Sequence, residues 1–289
     1  MEGLEQTAIE LPCGRFELLR ARGGRQLLLV LHGFPDHPPH FDDLLRRLAA
    51  AGYDVVAPWL RGYAPSTLEG PYHPARIAAD ALELASALGY RRFGMVGHDW
   101  GAIATYAACA QAPERVVAAV ALSIPHPRSF ARAPQLLRSS YMAALAGPYG
   151  AELAQADDFR FVDLLWSLWS PGFQLDSARR AALHACLRES WPAPARYYRA
   201  LFGAHSLESL RARLRVPLLH LHGADDGCVS ARTGRGQARF FAGPFASRLH
   251  AGVGHFLPLE APEWVARETL RWLSLHGVGM SLLPAGHAR

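Results

Sequence analysis

The sequence predicts an α/β fold in which a mostly parallel, twisted sheet is flanked by helices and interrupted by one helical insertion. Apolar runs without polar alternation recur between helical segments in the first half of the chain, as in strands that are covered on both faces. The same rhythm returns near the C-terminus, after residues 125–214, which contain no such run. Strands that alternate with helices indicate βαβ units and a parallel sheet.

The first elements are predicted from hydrophobic periodicity. Segments Gln6–Leu11 and Phe16–Arg22 have the length and residue types of short strands. Gln26–Leu31 (QLLLVL) is a continuous apolar run, which indicates a buried strand. His40–Ala51 has apolar residues at helical spacing and is followed by Gly52, a residue that commonly ends helices.

The same alternation continues to residue 124. The sequence predicts a strand at Asp54–Leu60, a helix at Pro74–Leu88 and a strand at Arg92–Gly97. A helix at Trp100–Gln111 and a strand at Val116–Ile124 follow. These segments complete the first part of the predicted sheet.

The insertion at residues 125–214 is rich in aromatic residues and has only helical patterns. We expect it to form a helical cap over the carboxyl edge of the sheet, where open α/β sheets bind ligands. The predicted core domain is therefore 1–124 together with 215–289. Its second part is predicted to contain the strand Val216–Leu221, the helix Ala231–Phe241, the strand Ser247–Ala251 and the helix Pro262–His276.

Composition narrows the class of protein. Of the 289 residues, 50% are hydrophobic and 19% charged, which suits a folded domain rather than a disordered chain. No apolar run approaches the ~18 residues of a membrane span, and the start MEGLEQTAIE lacks a signal-peptide pattern, so we expect a cytoplasmic protein without a membrane partner. The four cysteines have no paired spacing. The net charge of +5 is not clustered, so no nucleic-acid partner is expected.

The most informative motif is Gly97–Gly101 (GHDWG), between a predicted strand and a predicted helix. Small residues on both sides of a central nucleophile allow a strained turn that lifts its side chain above the sheet. The central residue here is Asp99. A carboxylate is ionised at neutral pH and can attack a strained or activated sp³ carbon without a base to deprotonate it. An aspartate that caps the following helix is the structural alternative.

A second motif follows the predicted strand Gln26–Leu31. His32–Pro35 (HGFP) stands where a loop can place a backbone N–H beside the nucleophile. The N–H groups of Phe34 and Trp100 are therefore the predicted oxyanion hole.

A candidate acid and a candidate histidine follow the nucleophile in the chain, in the order nucleophile, acid, histidine that catalytic triads of this arrangement have. Asp225 and Asp226 both follow the strand Val216–Leu221, and His255 follows the last predicted strand. We choose Asp226, because it completes a Gly-x-x-Asp pattern, and treat Asp225 as the competitor. An acid at this place would orient the imidazole and stabilise its charged form.

Together these motifs, from about Leu27 to Leu273, resemble the epoxide hydrolases of the α/β-hydrolase fold, the aspartate-nucleophile branch that lies near the haloalkane dehalogenases. The resemblance implies that Asp99 opens an epoxide to an alkyl–enzyme ester. Water activated by His255, paired with Asp226, would then release a vicinal diol.

The resemblance also implies two cap tyrosines that donate hydrogen bonds to the epoxide oxygen. Tyr141 and Tyr198 match by context, with Tyr149 and Tyr197 as competitors. One departure from the family is the stretch after HGFP, which lacks the usual tryptophans.

The resemblance implies a small apolar epoxide and water as partners, and no cofactor. A metal is not expected either, because the loop histidines have no ligand-like spacing: His37, His40, His73 and His126. The sequence leaves the oligomeric state open, a homodimer included.

Two alternative functions remain. A haloalkane dehalogenase would use the same nucleophile, but Phe34 stands where such enzymes usually carry an Asn or Glu that holds the halide. A non-catalytic binding protein on this scaffold would be expected to have lost one of Asp99, Asp226 and His255, all of which are present.

Overall fold

An eight-stranded sheet runs through this computed structural model, which describes residues 3–130, 133–201, 203 and 210–277. Its strands are β1 (Glu5–Leu11), β2 (Gly14–Arg22), β3 (Gln26–Leu31), β4 (Tyr53–Pro58), β5 (Phe93–His98), β6 (Val116–Leu122), β7 (Leu218–Gly223) and β8 (Phe245–His250). They are ordered β1-β2-β4-β3-β5-β6-β7-β8 across the sheet. The β1–β2 and β2–β4 pairs are antiparallel and the remaining pairs are parallel. The predicted α/β fold with a mostly parallel sheet is therefore confirmed.

The central strands are covered on both faces. Every residue of β4, β5 and β7 is buried, and successive side chains of a strand point to opposite faces. The helices that flank the sheet are α1 (Asp42–Ala50), α2 (Pro74–Ala87), α3 (Trp100–Gln111) and, after the short α9 (Leu257–Glu260), α10 (Pro262–Leu275). Helix α1 packs against α10, and α2 packs against α3. The unbroken apolar runs of the sequence thus correspond to strands between two helical layers.

Between β6 and β7, the described residues form five α-helices, which we call the inserted helices. They are α4 (Ala133–Arg138), α5 (Ser140–Ala146), α6 (Gly150–Trp169), α7 (Ser177–Ser190) and α8 (Ala193–Leu201). Helix α5 packs against both α6 and α8. Helix α6 is interrupted at residues 156–159, which have non-helical backbone angles. The division into a core of 1–124 with 215–289 and a cap of 125–214 stays a prediction, and residues 278–289 lie outside the described residues.

One predicted helix has a different structure, and several other predicted elements begin or end one or two residues away from the observed ones. The segment predicted as the helix Ala231–Phe241 forms two short 3₁₀ turns instead, separated by Gly236 with φ +75°. A left-handed residue in the middle of the segment prevents a continuous helix. Helix α1 begins at Asp42, after a 3₁₀ turn, rather than at His40. Strand β6 ends before Ser123, whose φ is +67°.

No helix of the described ranges has the length and apolar character needed to cross a bilayer. The cysteines are free thiols, namely Cys13, Cys109, Cys186 and Cys228.

Candidate active site

Asp99 stands on a strained turn between β5 and α3. Its φ of +53° and ψ of −118° lie outside the regions that non-glycine residues normally adopt. A Cβ on Gly97 would lie 2.2 Å from the Gly101 carbonyl oxygen, and a Cβ on Gly101 would lie 2.2 Å from that of Leu31. The turn therefore requires glycine on both sides of the nucleophile candidate.

One carboxylate oxygen of Asp99 lies against the loop after β3. The Phe34 N–H donates a hydrogen bond of 2.8 Å to Asp99 Oδ1. A Cβ on Gly33 would come within 2.4 Å of the same oxygen and 2.7 Å of the Trp100 nitrogen, so the loop approaches closely only because residue 33 is glycine. The Phe34 N–H therefore lies against Asp99 Oδ1, where a backbone donor can stabilise negative charge, and the predicted contribution of the Trp100 N–H stays a prediction.

His255 lies between Asp99 and Asp226. Its Nε2 is 3.5 Å from Asp99 Oδ2, and its Nδ1 is 2.9 Å from Asp226 Oδ2. All three residues are buried, whereas Asp225 is exposed on the loop after β7. The structure therefore brings Asp99, His255 and Asp226 together and excludes Asp225 from the group.

The backbone of the following residues fixes the carboxylate of Asp226. Its Oδ1 accepts hydrogen bonds of 2.8 Å from the N–H groups of Cys228 and Val229. These bonds close a turn of the kind that aspartate side chains make with the residues two and three positions later. Sequence reasoning did not use this turn, although an aspartate after a strand is a signal that could have found it.

Side chains from three other segments hold the backbone of His255. Its N–H donates to Ser170 Oγ over 2.9 Å, and its carbonyl accepts from Ser123 Oγ over 2.5 Å and from His98 Nε2 over 2.9 Å. Sequence reasoning assigned no role to Ser123, Ser170 or His98. A lone serine in a loop carries no signal for such a role.

The charges in this group depend on one another. Burial disfavours a charged His255, but Asp226 and Asp99 outweigh that effect and raise its pKa from 6.5 to about 10. Burial would likewise raise the pKa of Asp99, yet the hydrogen bond and charge of His255, with further help from the Phe34 N–H, keep it below 3.8. In the absence of a ligand, Asp99 is therefore a carboxylate and His255 beside it is an imidazolium.

A cavity of about 330 Å³ opens beside Asp99 and is also lined by Tyr141 and Tyr198. The two tyrosine rings meet edge to face with centroids 5.7 Å apart. Tyr141 Oη lies 3.4 Å from Cys228 Sγ, and the buried Tyr198 Oη makes no well-formed hydrogen bond to any described residue. Burial, together with the nearby Asp99 carboxylate, raises the pKa of both phenols well above 10. Both are neutral hydrogen-bond donors at any ordinary pH.

The two competing tyrosines point elsewhere. Tyr149 is 78% exposed. Tyr197 is buried, but its hydroxyl donates to the Arg61 carbonyl. Of the four tyrosines considered, Tyr141 and Tyr198 alone line the cavity beside Asp99.

One group within the described residues has the ligand types and spacing of a metal site, namely Asp226, Cys228 and His255, whose donor atoms lie within 4.8 Å of one another. The hydrogen bond from His255 Nδ1 to Asp226 Oδ2 already engages two of these atoms. A cation would have to break that bond, so we assign these side chains to the His–Asp pair rather than to a metal.

The chain is similar to known proteins both in sequence and in fold. The sequence profile of the alpha/beta hydrolase fold family matches residues 26–262. Human epoxide hydrolase 4 is 27% identical over 84% of this chain and 70% of its own, and Xenopus tropicalis epoxide hydrolase 3 is 27% identical over 83% and 69%. A structure of a candidate epoxide hydrolase from Pseudomonas aeruginosa superposes with a TM-score of 0.83 at 26% identity, over 96% of this chain and 98% of its own.

The predicted resemblance to epoxide hydrolases of this fold is thus confirmed, since the profile, the sequence relatives and the solved structure agree. The protein belongs to the alpha/beta hydrolase fold family.

Proposed function

We propose that this protein hydrolyses epoxides to vicinal diols through a covalent ester on Asp99. The observation that carries the proposal is one cavity that is lined by Asp99 together with Tyr141 and Tyr198. A nucleophile and a proton donor must act on the two ends of the same C–O bond for an epoxide to open. The names of the similar proteins support this reaction class.

In the first step, Asp99 Oδ2 attacks one ring carbon while the bond from that carbon to the ring oxygen breaks. The phenols of Tyr141 and Tyr198 donate hydrogen bonds to the departing oxygen, and one of them transfers its proton to give the alcohol. Asp99 Oδ1 stays on the Phe34 N–H, which leaves Oδ2 free to react. The product is an alkyl ester of Asp99 and one phenolate.

In the second step, water attacks the carbonyl carbon of the ester and gives a proton to His255 Nε2. Negative charge then develops on Oδ1, beside the N–H groups of Phe34 and Trp100. The acyl C–O bond breaks, and the leaving oxygen takes the proton from His255, which releases the diol. The proton left on the regenerated carboxyl of Asp99 restores the phenol.

The change in charge on Asp99 prepares His255 for the second step. Free Asp99 is one of the two carboxylates that raise the pKa of His255. Esterification removes that negative charge, so the pKa of His255 falls, its extra proton leaves to solvent and a neutral imidazole becomes available as the base. Once Asp99 is again a carboxylate, His255 takes a proton back from solvent.

The cavity favours a neutral, apolar substrate. Apart from the two tyrosines, Asp99 and two serines, it is lined by apolar residues, including Ile103, Ile124, Phe130, Met142, Leu201 and Val229. Among the lining residues that the structure describes, none has a cationic side chain that could pair with an anionic group of a substrate. A small apolar epoxide, with water as co-substrate, is the partner that this lining fits.

Incubation with styrene oxide and, separately, with 1-bromobutane tests the proposed reaction. We expect phenylethanediol from the first and no bromide from the second, with the products measured by chromatography and by halide titration. Bromide release without diol would mean a dehalogenase. Binding of either compound without turnover would support a non-catalytic protein.

Replacing the phenols is expected to slow the first step selectively. Tyr141→Phe and Tyr198→Phe should each reduce the rate of ester formation by on the order of 10²-fold, because each removes a proton donor to the leaving oxygen. Single-turnover rapid quench measures this rate. The exposed Tyr149→Phe variant is the matched control and should react normally. A Tyr141→Phe/Tyr198→Phe double variant with normal ester formation would contradict the assignment.

Acid is expected to trap the ester. The pKa of Asp99 lies below 3.8, so Asp99 stays ionised and continues to attack as the pH falls from 9 to 6. The second step needs neutral His255, and protonation of its imidazole increases over the same range. The fraction of esterified enzyme in the steady state should therefore rise as the pH falls, as measured by intact mass after quenching. A His255→Gln variant should show no such dependence, and a fraction that falls with pH in the wild type would contradict this mechanism.

A further inference from the structure

Strand β7 carries two buried histidines on one face of the sheet. His220 and His222 are separated by one residue in the sequence LLHLHG, so their side chains point to the same face. Both are almost fully buried. Burying an imidazole costs free energy of folding unless its nitrogens have hydrogen-bond partners. The partners of His220 and His222 therefore indicate which ring nitrogens carry protons.

The hydrogen bonds fix one consistent set of proton positions. His222 Nε2 lies 2.8 Å from the Val229 carbonyl, which can only accept, so Nε2 carries the proton. His222 Nδ1 is then an acceptor, and it lies 3.3 Å from His220 Nε2, which must donate. His220 Nδ1 accepts in turn from Gln237 Nε2 over 2.9 Å. Two neutral rings therefore satisfy every bond, in agreement with burial, which lowers the pKa of both histidines.

This chain of bonds ends at the acid of the candidate active site. Val229, whose carbonyl is held by His222, donates its own N–H to Asp226 Oδ1 over 2.8 Å. His222 Nε2 also lies 3.5 Å from Asp226 Oδ2, the oxygen that faces His255 Nδ1. His222 therefore contacts both the turn that holds the Asp226 carboxylate and the oxygen that orients the imidazole.

We infer that His222, oriented by His220, is a positioning residue that sets the geometry of Asp226 toward His255. The inference rests on the proposed function of the Asp226–His255 pair. The bond to Val229 fixes the turn over residues 226–229, and the N–H of His222 places positive partial charge near Asp226 Oδ2. Among the described residues, His222 does not itself line the cavity, although Val229, whose carbonyl it holds, does. The route to the reacting atoms that we propose runs through Asp226, which accepts the Val229 N–H.

This role predicts a selective effect on the second half-reaction. Asp226 and His255 act on the water that cleaves the ester, whereas ester formation needs Asp99 and the phenols. His222→Leu should slow ester hydrolysis on the order of 10- to 100-fold, as expected for a misplaced catalytic group, and leave ester formation at the wild-type rate. His222→Gln should restore most of the loss, because its amide can donate to the Val229 carbonyl.

Rapid-quench intact mass separates the two rates with styrene oxide as the substrate. His184→Gln is the matched control, because His184 is a buried histidine of the inserted helices that bonds to Asp158 and Asp163. Equal slowing of both half-reactions by His222→Leu, or no slowing of either, would overturn the inference. So would a His222→Gln variant as slow as His222→Leu.

A second readout does not depend on turnover. The His255 Nδ1–H that donates to Asp226 should give a downfield proton resonance, which His255→Gln identifies by its loss. We expect this resonance to shift or broaden in His222→Leu and to stay in place in His222→Gln and His184→Gln. An unchanged resonance in His222→Leu would overturn the inference, whether or not the wild-type protein makes diol. Failure of the wild-type protein to make diol would refute only the proposed function. If His222→Leu does not fold, His220→Leu, which removes the donor to His222 Nδ1, should move the resonance in the same direction.

Discussion

A His255→Gln variant mixed with an epoxide is expected to stop halfway through the reaction and to retain the substrate as an ester of Asp99. The nucleophile is intact in this variant, and its Oδ1 still accepts from the Phe34 N–H, so ring opening can proceed. Glutamine cannot take a proton from water, so the ester has no base to hydrolyse it. Steady-state turnover should fall by about 10³-fold or more, because loss of the general base removes most of the second step.

Intact mass after mixing with styrene oxide measures this outcome. The protein should gain the mass of the whole epoxide, and peptide mapping should place the gain on Asp99. A His250→Gln variant is the control, since the described contacts of this imidazole, with the Ala251 carbonyl and the Trp264 ring, lie outside the group around His255. This variant should turn over without accumulating an adduct. A gain of the alkyl group alone from 1-bromobutane, with none from the epoxide, would contradict the proposed reaction.

An Asp99→Ala variant is expected to lose diol formation altogether. Alanine supplies no nucleophile, and water held in its place would have to attack without the negative charge that Asp99 carries at neutral pH. We expect turnover to fall by at least about 10⁴-fold, to the level left by binding and the phenols alone. Asp225→Ala is the matched control, because this exposed carboxylate lies one position from Asp226 but outside the group around His255.

Isotope labelling checks the same step in the wild-type protein. In a single turnover in H₂¹⁸O, the label should enter the Asp99 carboxylate, because the new hydroxyl oxygen of the diol comes from Asp99. Mass analysis of the diol and of the Asp99 peptide distinguishes the two places. Label in the diol from the first turnover would mean direct attack by water and would contradict the ester mechanism.

Much of the fold followed from local pattern. Unbroken apolar runs such as Gln26–Leu31 predicted strands between two helical layers, and the structure has them there. The segment 231–241 was predicted as a helix and is not one, because the left-handed Gly236 interrupts it. Composition and spacing could not reveal that interruption, since glycine is tolerated within some helices.

In the candidate site, too, some features could be predicted from the sequence and others required the structure. The sequence by itself determined one end of the turn around Asp99, because a Cβ at Gly97 would collide with the carbonyl of Gly101, four residues later. It also determined the chain order of Asp99, Asp226 and His255. Constraints of this kind act between residues that are neighbours in the chain, so they are visible in a short motif.

Only the tertiary structure decided which of two adjacent aspartates faces His255, and which tyrosines share a cavity with Asp99. It alone brought Ser170, from the end of the inserted helices, to the backbone of His255, and joined His222 to the Asp226 turn. Most of these contacts join residues that are distant along the chain. The choice between Asp225 and Asp226 instead depends on which of two adjacent loop residues faces inward. The geometry in both cases is set by how helices and strands pack together, and packing depends on the whole fold rather than on any local pattern.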